Sequence, residues 1–191
     1  MTFDLNTLTA QQAVAAIYIG YYERAADPFG SAFWEDAVAN PALSLSDIAD
    51  YFVDQDETNA AHPYFAAPTD AGADAFITDV YQNLFNRAPD AAGLEFWSGV
   101  LQGSIAGTND ISVGQIILEI IAGAQDSADG NDLSTITNKI DAAAAWTSAL
   151  DAAGLNEATS YADDAAAQAS AKAVIAAVDD TAASVDTATS T

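Results

Sequence analysis

The sequence predicts an all-α protein, a compact multi-helix domain built from two tandem copies of a helix-turn-helix-loop-helix unit and followed by further helices. Three observations support this prediction. Apolar residues recur with helical spacing in several segments, strand-like alternation and hairpin dipeptides are scarce, and one motif occurs twice, 63 positions apart (87 − 24). With 51% hydrophobic residues among 191, the chain can bury an ordinary core.

The periodicity also places the helices. Segment 9–24 offers Thr9 as an N-cap, and segments 74–86 and 111–122 show the same helical spacing of apolar residues. Breaks rich in Pro, Gly, Asn and Asp separate these segments. The expected organisation is a first helical repeat at 1–60, an inter-repeat loop at 61–72, a second repeat at 73–130 packed on the first, C-terminal helices at 131–180 and a linker or disordered end at 181–191.

The composition excludes several classes of function. Twenty-eight acidic residues against four basic ones give a formal net charge of −24, and such a surface repels nucleic-acid phosphates. The same carboxylates make calcium the candidate cofactor. Cysteine is absent, so disulfides, thiol nucleophiles and Cys-based zinc sites are ruled out. The sequence contains no run long and apolar enough for membrane insertion, and its N-terminus lacks the basic region of a cleavable signal peptide.

The repeated motif reads ERAADPFGSAFW at 23–34 and NRAPDAAGLEFW at 86–97. Its arginine ends one helix, where a cation interacts well with the helix dipole, and its aspartate stands where the next helix begins and can cap free N–H groups. We therefore predict that the arginine and the aspartate form an Arg–Asp bracket, a pair that fastens the turn between the helices at both ends. The glycine lies in the first turn of the second helix, where a neighbouring group is expected to come close. These structural residues are Arg24, Asp27 and Gly30 in the first copy and Arg87, Asp90 and Gly93 in the second.

Each copy of the motif ends in a Phe-Trp pair, and we expect one ring of each pair to point toward the core. A second interpretation stays open, in which the arginine and the tryptophan form a shelf that binds sugars by stacking and hydrogen bonding. The aromatic residues available for a glycan are the exposed members of a set of six, Tyr21, Tyr22, Trp34, Tyr64, Phe65 and Trp97. The ligand-binding candidates chosen from this set are Trp34, Trp97, Tyr64 and Phe65. The last two lie in a proline-flanked loop and are the least easily explained by helix packing.

Two acidic loops could bind calcium, DQDE at 54–57 and DSADGND at 126–132, and they fall at corresponding places in the two copies. The candidate ligands are Asp54, Asp56 and Glu57 in the first loop and Asp126, Asp129 and Asp132 in the second. Neither loop fits the twelve-residue EF-hand pattern, and solvated acidic loops that bind no ion are the favoured interpretation of each. A weak calcium site of the kind found in extracellular modules stays open.

Catalysis is not expected. His62 is the single histidine, and neither a serine nor a cysteine accompanies it in a recognisable triad motif. Acidic residues are so abundant that any chosen carboxylate pair carries no information about glycosidase chemistry. We therefore expect a protein that is not an enzyme.

The motif R-x-P-D-x-x-G-L-x-x-W, preceded by a Y-x-x-L-F helix, resembles a bacterial domain family of unknown function that recurs in RTX-type secreted proteins and surface-layer (S-layer) proteins. The segment FITDVYQNLFNRAPDAAGLEFWSGVLQGSIA matches the pattern well, whereas the first copy has Ala26 for the proline and Ser31 for the leucine. The segment at 131–150 also looks like the stretch that follows such domains. The resemblance covers about residues 13–150 and implies a helical N-terminal domain.

The resemblance implies secretion to the cell surface without a cleavable N-terminal signal peptide, by the type I route. It further implies anchoring of the lattice to lipopolysaccharide O-antigen, a cell-surface polysaccharide, while Gly-Asp repeats elsewhere in such proteins bind calcium; this chain has no GGxGxDxLx repeat. Self-assembly of the full-length protein is also expected. The alternative function is a self-assembly or protein-protein interaction module of a surface lattice or secreted adhesin.

Overall fold

The computed structural model describes residues 5–126, 130–155 and 165–189. Within these ranges the chain forms ten α-helices and three short 3₁₀ helices, with no strand. The prediction of an all-α protein is therefore confirmed. None of the described helices is long and apolar enough to cross a membrane.

The helices are numbered α1 to α10 in chain order. They span Ala10–Tyr22, Pro28–Val38, Leu45–Tyr51, Asp56–Ala61, Asp70–Phe85, Ala91–Ile105, Val113–Gly123, Asn131–Ala152, Ala165–Ala176 and Ala182–Thr189. The 3₁₀ helices span Leu5–Thr7, Pro63–Phe65 and Ala124–Asp126. As predicted, Thr9 caps α1: its side chain accepts a hydrogen bond from the Gln12 backbone N–H.

The two copies of the repeat correspond helix by helix, α1 to α4 against α5 to α8. Both first helices end in a residue with left-handed backbone, Glu23 at φ 52° and Asn86 at φ 59°. Both third helices begin after a serine cap, Ser44 before α3 and Ser112 before α7. The fourth helices differ most, because α4 has six residues and α8 has 22.

The core is centred on α1, which packs against α2, α5 and α8 and has every residue from Ala13 to Tyr22 buried. In the first copy the interior is aromatic: Tyr18, Tyr21 and Tyr22 surround Phe52 with ring centroids 5.1 to 5.9 Å away. Ring pairs at these distances stabilise a core beyond the apolar area they bury.

The two copies join most closely where α3 packs on α7. Asp50 of α3 accepts a hydrogen bond from the Gly114 backbone N–H, with Oδ1 2.7 Å from the nitrogen. A Cβ at Gly114 would lie 2.6 Å from the Asp50 nitrogen, a distance that real Cβ contacts do not reach. Only glycine therefore allows this approach of the two backbones.

The C-terminal helices α9 and α10 pack on α8. Two carbonyl contacts tie them to the turns of the motif: Ala25 N–H donates to Ala171 O at 3.0 Å, and Asn86 Nδ2 donates to Val178 O at 2.8 Å. Residues 181–191 were predicted to be a linker or disordered end, but they include helix α10. Its Ser184 and Ala188 are buried and its Thr189 is exposed, so one face of this helix packs on the rest of the domain.

Candidate functional site

In the first copy of the motif the arginine is buried and binds a residue far along the chain. Arg24 is 7% exposed and forms two hydrogen bonds to Glu57, Nε to Oε1 and Nη2 to Oε2, both at 2.7 Å. The predicted Arg–Asp bracket is present but longer, since Nη1 lies 3.8 Å from Asp27 Oδ2. The guanidinium also lies over the ring of Tyr18, 4.8 Å from its centroid. The principal partner of Arg24 is therefore the second residue of α4.

In the second copy the same fork-to-carboxylate pair forms, but the buried partner is the acid. Arg87 donates from Nε and Nη2 to the two carboxylate oxygens of Asp132, at 2.8 and 2.5 Å. The side chain of Asp132 is 8% exposed and that of Arg87 is 45% exposed. Asp132 is the second residue of α8, as Glu57 is of α4. The arginines therefore connect each motif to the start of its fourth helix, which the local spacing of the motif did not indicate.

The aspartate of each motif caps the second helix as predicted. Asp27 Oδ1 accepts from the Gly30 N–H at 2.8 Å, and Asp90 Oδ1 accepts from the Gly93 N–H at 2.7 Å. The glycines differ. A Cβ at Gly30 would lie 2.5 Å from the Tyr18 hydroxyl, whereas the closest atom to one at Gly93 would be Asp90 Oδ1 at 3.3 Å.

The Phe-Trp pairs share one geometry in both copies. Trp34 and Trp97 are partly buried against the core, and Trp34 lies 4.8 Å from Phe52 between ring centroids. Phe33 and Phe96 are each 60% exposed, and each ring lies 4.9 Å from its tryptophan, nearly perpendicular to it. The ring that points to the core is therefore the tryptophan. The sequence pointed to the two tryptophans as ligand-binding residues and not to their neighbours Phe33 and Phe96, which are more exposed.

The inter-repeat loop places its aromatic residues inward. Tyr64 is 5% exposed with a buried hydroxyl, and Phe65 packs on Phe76 with centroids 5.0 Å apart. Burial raises the pKa of Tyr64. This burial leaves Tyr64 little surface on which a sugar could stack. Tyr64 lines a cleft of about 340 Å³ between the loop and α5, and Phe65 is not among the residues that line it.

His62 closes one side of this cleft. Its ring is 7% exposed, lies 2.9 Å through Nε2 from the carbonyl oxygen of Tyr21, and stands perpendicular to Phe76 at 4.9 Å. Asp79 Oδ2 is 3.7 Å from Nδ1. These contacts give His62 a packing role and join the loop to the end of α1.

The predicted calcium ligands are not brought together by the described structure. Asp54, Asp56 and Asp126 are exposed, and the remaining two described candidates are the carboxylates that bind the motif arginines. Asp129 lies outside the described residues. Within the described residues, no group of three or more His, Asp or Glu side chains is placed to hold a metal ion.

Lys139 is a buried charged residue to which the sequence analysis gave no structural role. It is 0% exposed in α8, and Nζ donates to the carbonyl oxygen of Asn83 at 2.5 Å. Asn83 in turn donates from Nδ2 to Gly20 O at 3.0 Å, so the three residues connect α8, α5 and α1. Burial lowers the pKa of Lys139 to about 8, and nearby Glu23 opposes that shift.

Comparison with known proteins yields one family and one relative. Residues 63–115, which include α5, α6 and the first residues of α7, match a family described as "Domain of unknown function (DUF4214)". An S-layer protein of Synechocystis sp. is 28% identical over 178 residues, a span that covers 90% of this chain and 10% of that protein. The chain therefore spans about a tenth of the length of this relative. Among solved structures, none matches the chain.

Proposed function

We propose that this chain is a non-enzymatic anchoring domain of a secreted surface-layer or RTX-type protein. The observation that carries the proposal is the similarity to an S-layer protein, which extends over 90% of the chain and therefore includes both copies of the repeat. The motif residues support a structural interpretation, because their side chains fasten turns and helix starts. In this proposal the full-length protein leaves the cell by type I secretion.

The proposed partner is a cell-surface polysaccharide, namely lipopolysaccharide O-antigen, with calcium assisting the contact. A surface with a net charge of −24 repels anionic sugars, so a divalent cation would be needed to bridge an anionic glycan to it. The exposed carboxylates of Asp54, Asp56 and Asp126 are the groups that could recruit it. Single contacts of this kind are weak, and many copies in a lattice would raise the avidity by about 10²–10⁴.

The test mixes the purified chain with lipopolysaccharide that carries or lacks O-antigen, in calcium or in chelator, and measures co-sedimentation. We expect sedimentation in the mixture that contains both O-antigen and calcium, and a clear loss in the other three. A triple variant with Asp54→Asn, Asp56→Asn and Asp126→Asn should no longer co-sediment with lipopolysaccharide when calcium is added. The control variant, Asp74→Asn, changes another exposed acid and should behave as the unaltered chain does.

The second candidate function is a self-assembly module of a surface lattice. It is favoured by the apolar side chains that α2 and α3 leave exposed, Phe29 and Tyr51, each at 52%. Sedimentation velocity over a range of concentrations distinguishes the two candidates. Failure to bind in all four mixtures, combined with reversible association of the chain with itself, would reject anchoring and support assembly.

A further inference from the structure

We propose that Phe33 and Phe96 are two stacking platforms, each of which binds the apolar face of one neutral hexopyranose ring. The inference rests on the proposed function, and it names the contact residues and the class of sugar. The platforms lie at the same position of the two copies, Phe33 on α2 and Phe96 on α6.

The first argument is that both copies retain an exposed phenylalanine. The two motifs have diverged where Ala26 stands for Pro89 and Ser31 for Leu94. Three of the other retained pairs have a visible structural reason: the arginines bind carboxylates, the aspartates cap helices, and the tryptophans pack on the core. The phenylalanines are 60% exposed in both copies, so core packing does not explain their retention.

The second argument is that each phenylalanine ring is held in one orientation. The ring planes of Phe33 and Trp34 meet at 83°, and those of Phe96 and Trp97 at 76°, with 4.9 Å between centroids in both pairs. An edge-to-face contact of this kind is a preferred aromatic geometry. The partly buried tryptophan thus fixes a ring whose surface is mostly open, and a preorganised ring loses little freedom when a ligand stacks on it.

The third argument concerns the size of the patch. An aromatic side chain covers roughly 150–250 Å², whereas a stable protein interface buries about 800 Å² on each partner. Beside Phe96 lie Glu95, which is exposed and charged, and Gly99, where an added Cβ would meet nothing within 4 Å. At Phe96, open space next to a single exposed ring fits a ligand the size of one sugar residue. In the first copy the exposed rings of Phe29 and Tyr51 add to the apolar surface of α2 and α3, so the size argument applies to Phe96.

The fourth argument concerns charge. An exposed carboxylate lies close in sequence to each phenylalanine, Asp36 three residues after Phe33 and Glu95 one residue before Phe96, and the whole chain carries −24. Carboxylates accept hydrogen bonds from sugar hydroxyls, but they repel a uronic acid or a phosphorylated sugar. The C–H bonds on one face of a neutral hexopyranose can then pack on the phenylalanine ring while its hydroxyls donate hydrogen bonds to a nearby carboxylate. The stacking contact itself involves no ion, and the calcium of the proposed function acts at the exposed carboxylates of Asp54, Asp56 and Asp126 instead.

The experiment compares Phe33→Ala, Phe96→Ala and the double variant with the unaltered chain, using O-antigen-bearing lipopolysaccharide as the probe. Each single change should weaken binding about three- to tenfold, and the double change should weaken it by the product of the two. Ile105→Ala is the matched control, because this exposed residue lies on α6 and has no counterpart in the first copy. It should leave binding unchanged.

Two further measurements keep the result decisive. Phe33→Tyr with Phe96→Tyr should restore binding to within about twofold of the unaltered chain, because both aromatic faces remain. In the mixture that contains calcium, a neutral glucan should compete with the lipopolysaccharide for the platforms and reduce its co-sedimentation with the unaltered chain. Wild-type binding by a double variant that keeps its melting temperature would overturn this inference and leave the proposed function standing. Absence of binding by the unaltered chain would reject both.

Discussion

The two copies of the repeat keep the same turns but fill their interiors differently. Counted from the serine caps of α3 and α7, Phe52, the residue that follows α3, corresponds to Ile120 of α7. Phe52 lies within an aromatic cluster, whereas α7 contributes mainly isoleucine side chains to the core. The duplicated unit therefore preserves what fixes the backbone at the turn. Interior side chains change more freely, because cores tolerate different residues when volume and patterning are kept.

The ion pairs differ in a second way. Arg24 is the buried partner in the first copy, and Asp132 is the buried partner in the second. The same bidentate contact therefore forms whether the arginine or the carboxylate is the buried partner. Removing the exposed partner takes the closest counter-charge away from a buried charge, which is the costlier loss in each copy.

The largest expected effect tests the aromatic interior. Phe52→Ala should lower the free energy of unfolding by about 3–5 kcal/mol, because it deletes a buried ring that contacts four others. Ile120→Ala, at the corresponding position, should cost less, about 2–3 kcal/mol. Urea unfolding measures both. Equal losses would contradict the expectation that the aromatic interior of the first copy is the more sensitive to truncation.

The ion pairs provide the next effect. Glu57→Ala and Arg87→Ala each remove the exposed partner and should lower the free energy of unfolding by roughly 1–3 kcal/mol. Asp132→Ala should cost less than Arg87→Ala, because the arginine that remains is solvated. Asp74→Ala serves as an exposed acidic control and should change stability by less than about 0.5 kcal/mol. The reverse order for Asp132 and Arg87 would contradict the assignment of the buried partner.

The hydrogen-bonded connection between the copies should depend on pH. The pKa of buried Lys139 is lowered to about 8, so between pH 8 and 10 the unfolded chain holds a proton that the folded chain has lost. Stability should therefore rise over this range, by roughly 2 kcal/mol. Above pH 10 it should fall, because burial raises the pKa of Tyr21 above its usual value and that of Tyr22 to about 12, whereas unfolded tyrosines ionise.

Lys139→Met is the control for this pH dependence. Denaturant unfolding between pH 7 and 11 should show the rise in the unaltered chain and not in the variant. If the Lys139→Met variant still became more stable between pH 8 and 10, the rise in stability would come from another titrating group and not from Lys139.

The smallest effect concerns the motif glycines. Gly30→Ala should lower stability by about 1 kcal/mol, because the new Cβ would lie 2.5 Å from the Tyr18 hydroxyl. Gly93→Ala should change it by less than about 0.5 kcal/mol, since the closest atom would be 3.3 Å away. Thermal unfolding of the two variants under identical conditions measures the difference. A larger loss at Gly93 would mean that the second turn is the tighter one.

Local signals in the sequence predicted the fold class, the two copies and the caps. Helical periodicity and the residue types at helix ends act over a few neighbours, so Thr9, Asp27 and Asp90 could be assigned as caps without any tertiary information. The same locality limited the prediction for the arginines. The spacing pointed to an acid three residues away, and the principal partners lie 33 and 45 residues away.

Burial was decided by the tertiary structure. Tyr64 sits in a loop between prolines, and its near-complete burial follows from the packing of that loop on α5. Helix α10 has a weak apolar stripe and was predicted as a linker, but the surface of α8 gives it a partner on which to pack. A short helix gains most of its stability from such packing and little from intrinsic propensity, so its sequence alone could not indicate it.

The sequence by itself determined that this chain is acidic, helical and internally duplicated, because composition and periodicity are properties of the chain whatever its conformation. Only the tertiary structure decided which retained residues face inward. In both motifs Trp34 and Trp97 are drawn partly into the core while Phe33 and Phe96 stay exposed, since adjacent positions on a helix lie about 100° apart and only one of the two can face its neighbour. That choice separates the residues that hold the fold from those free to meet a ligand.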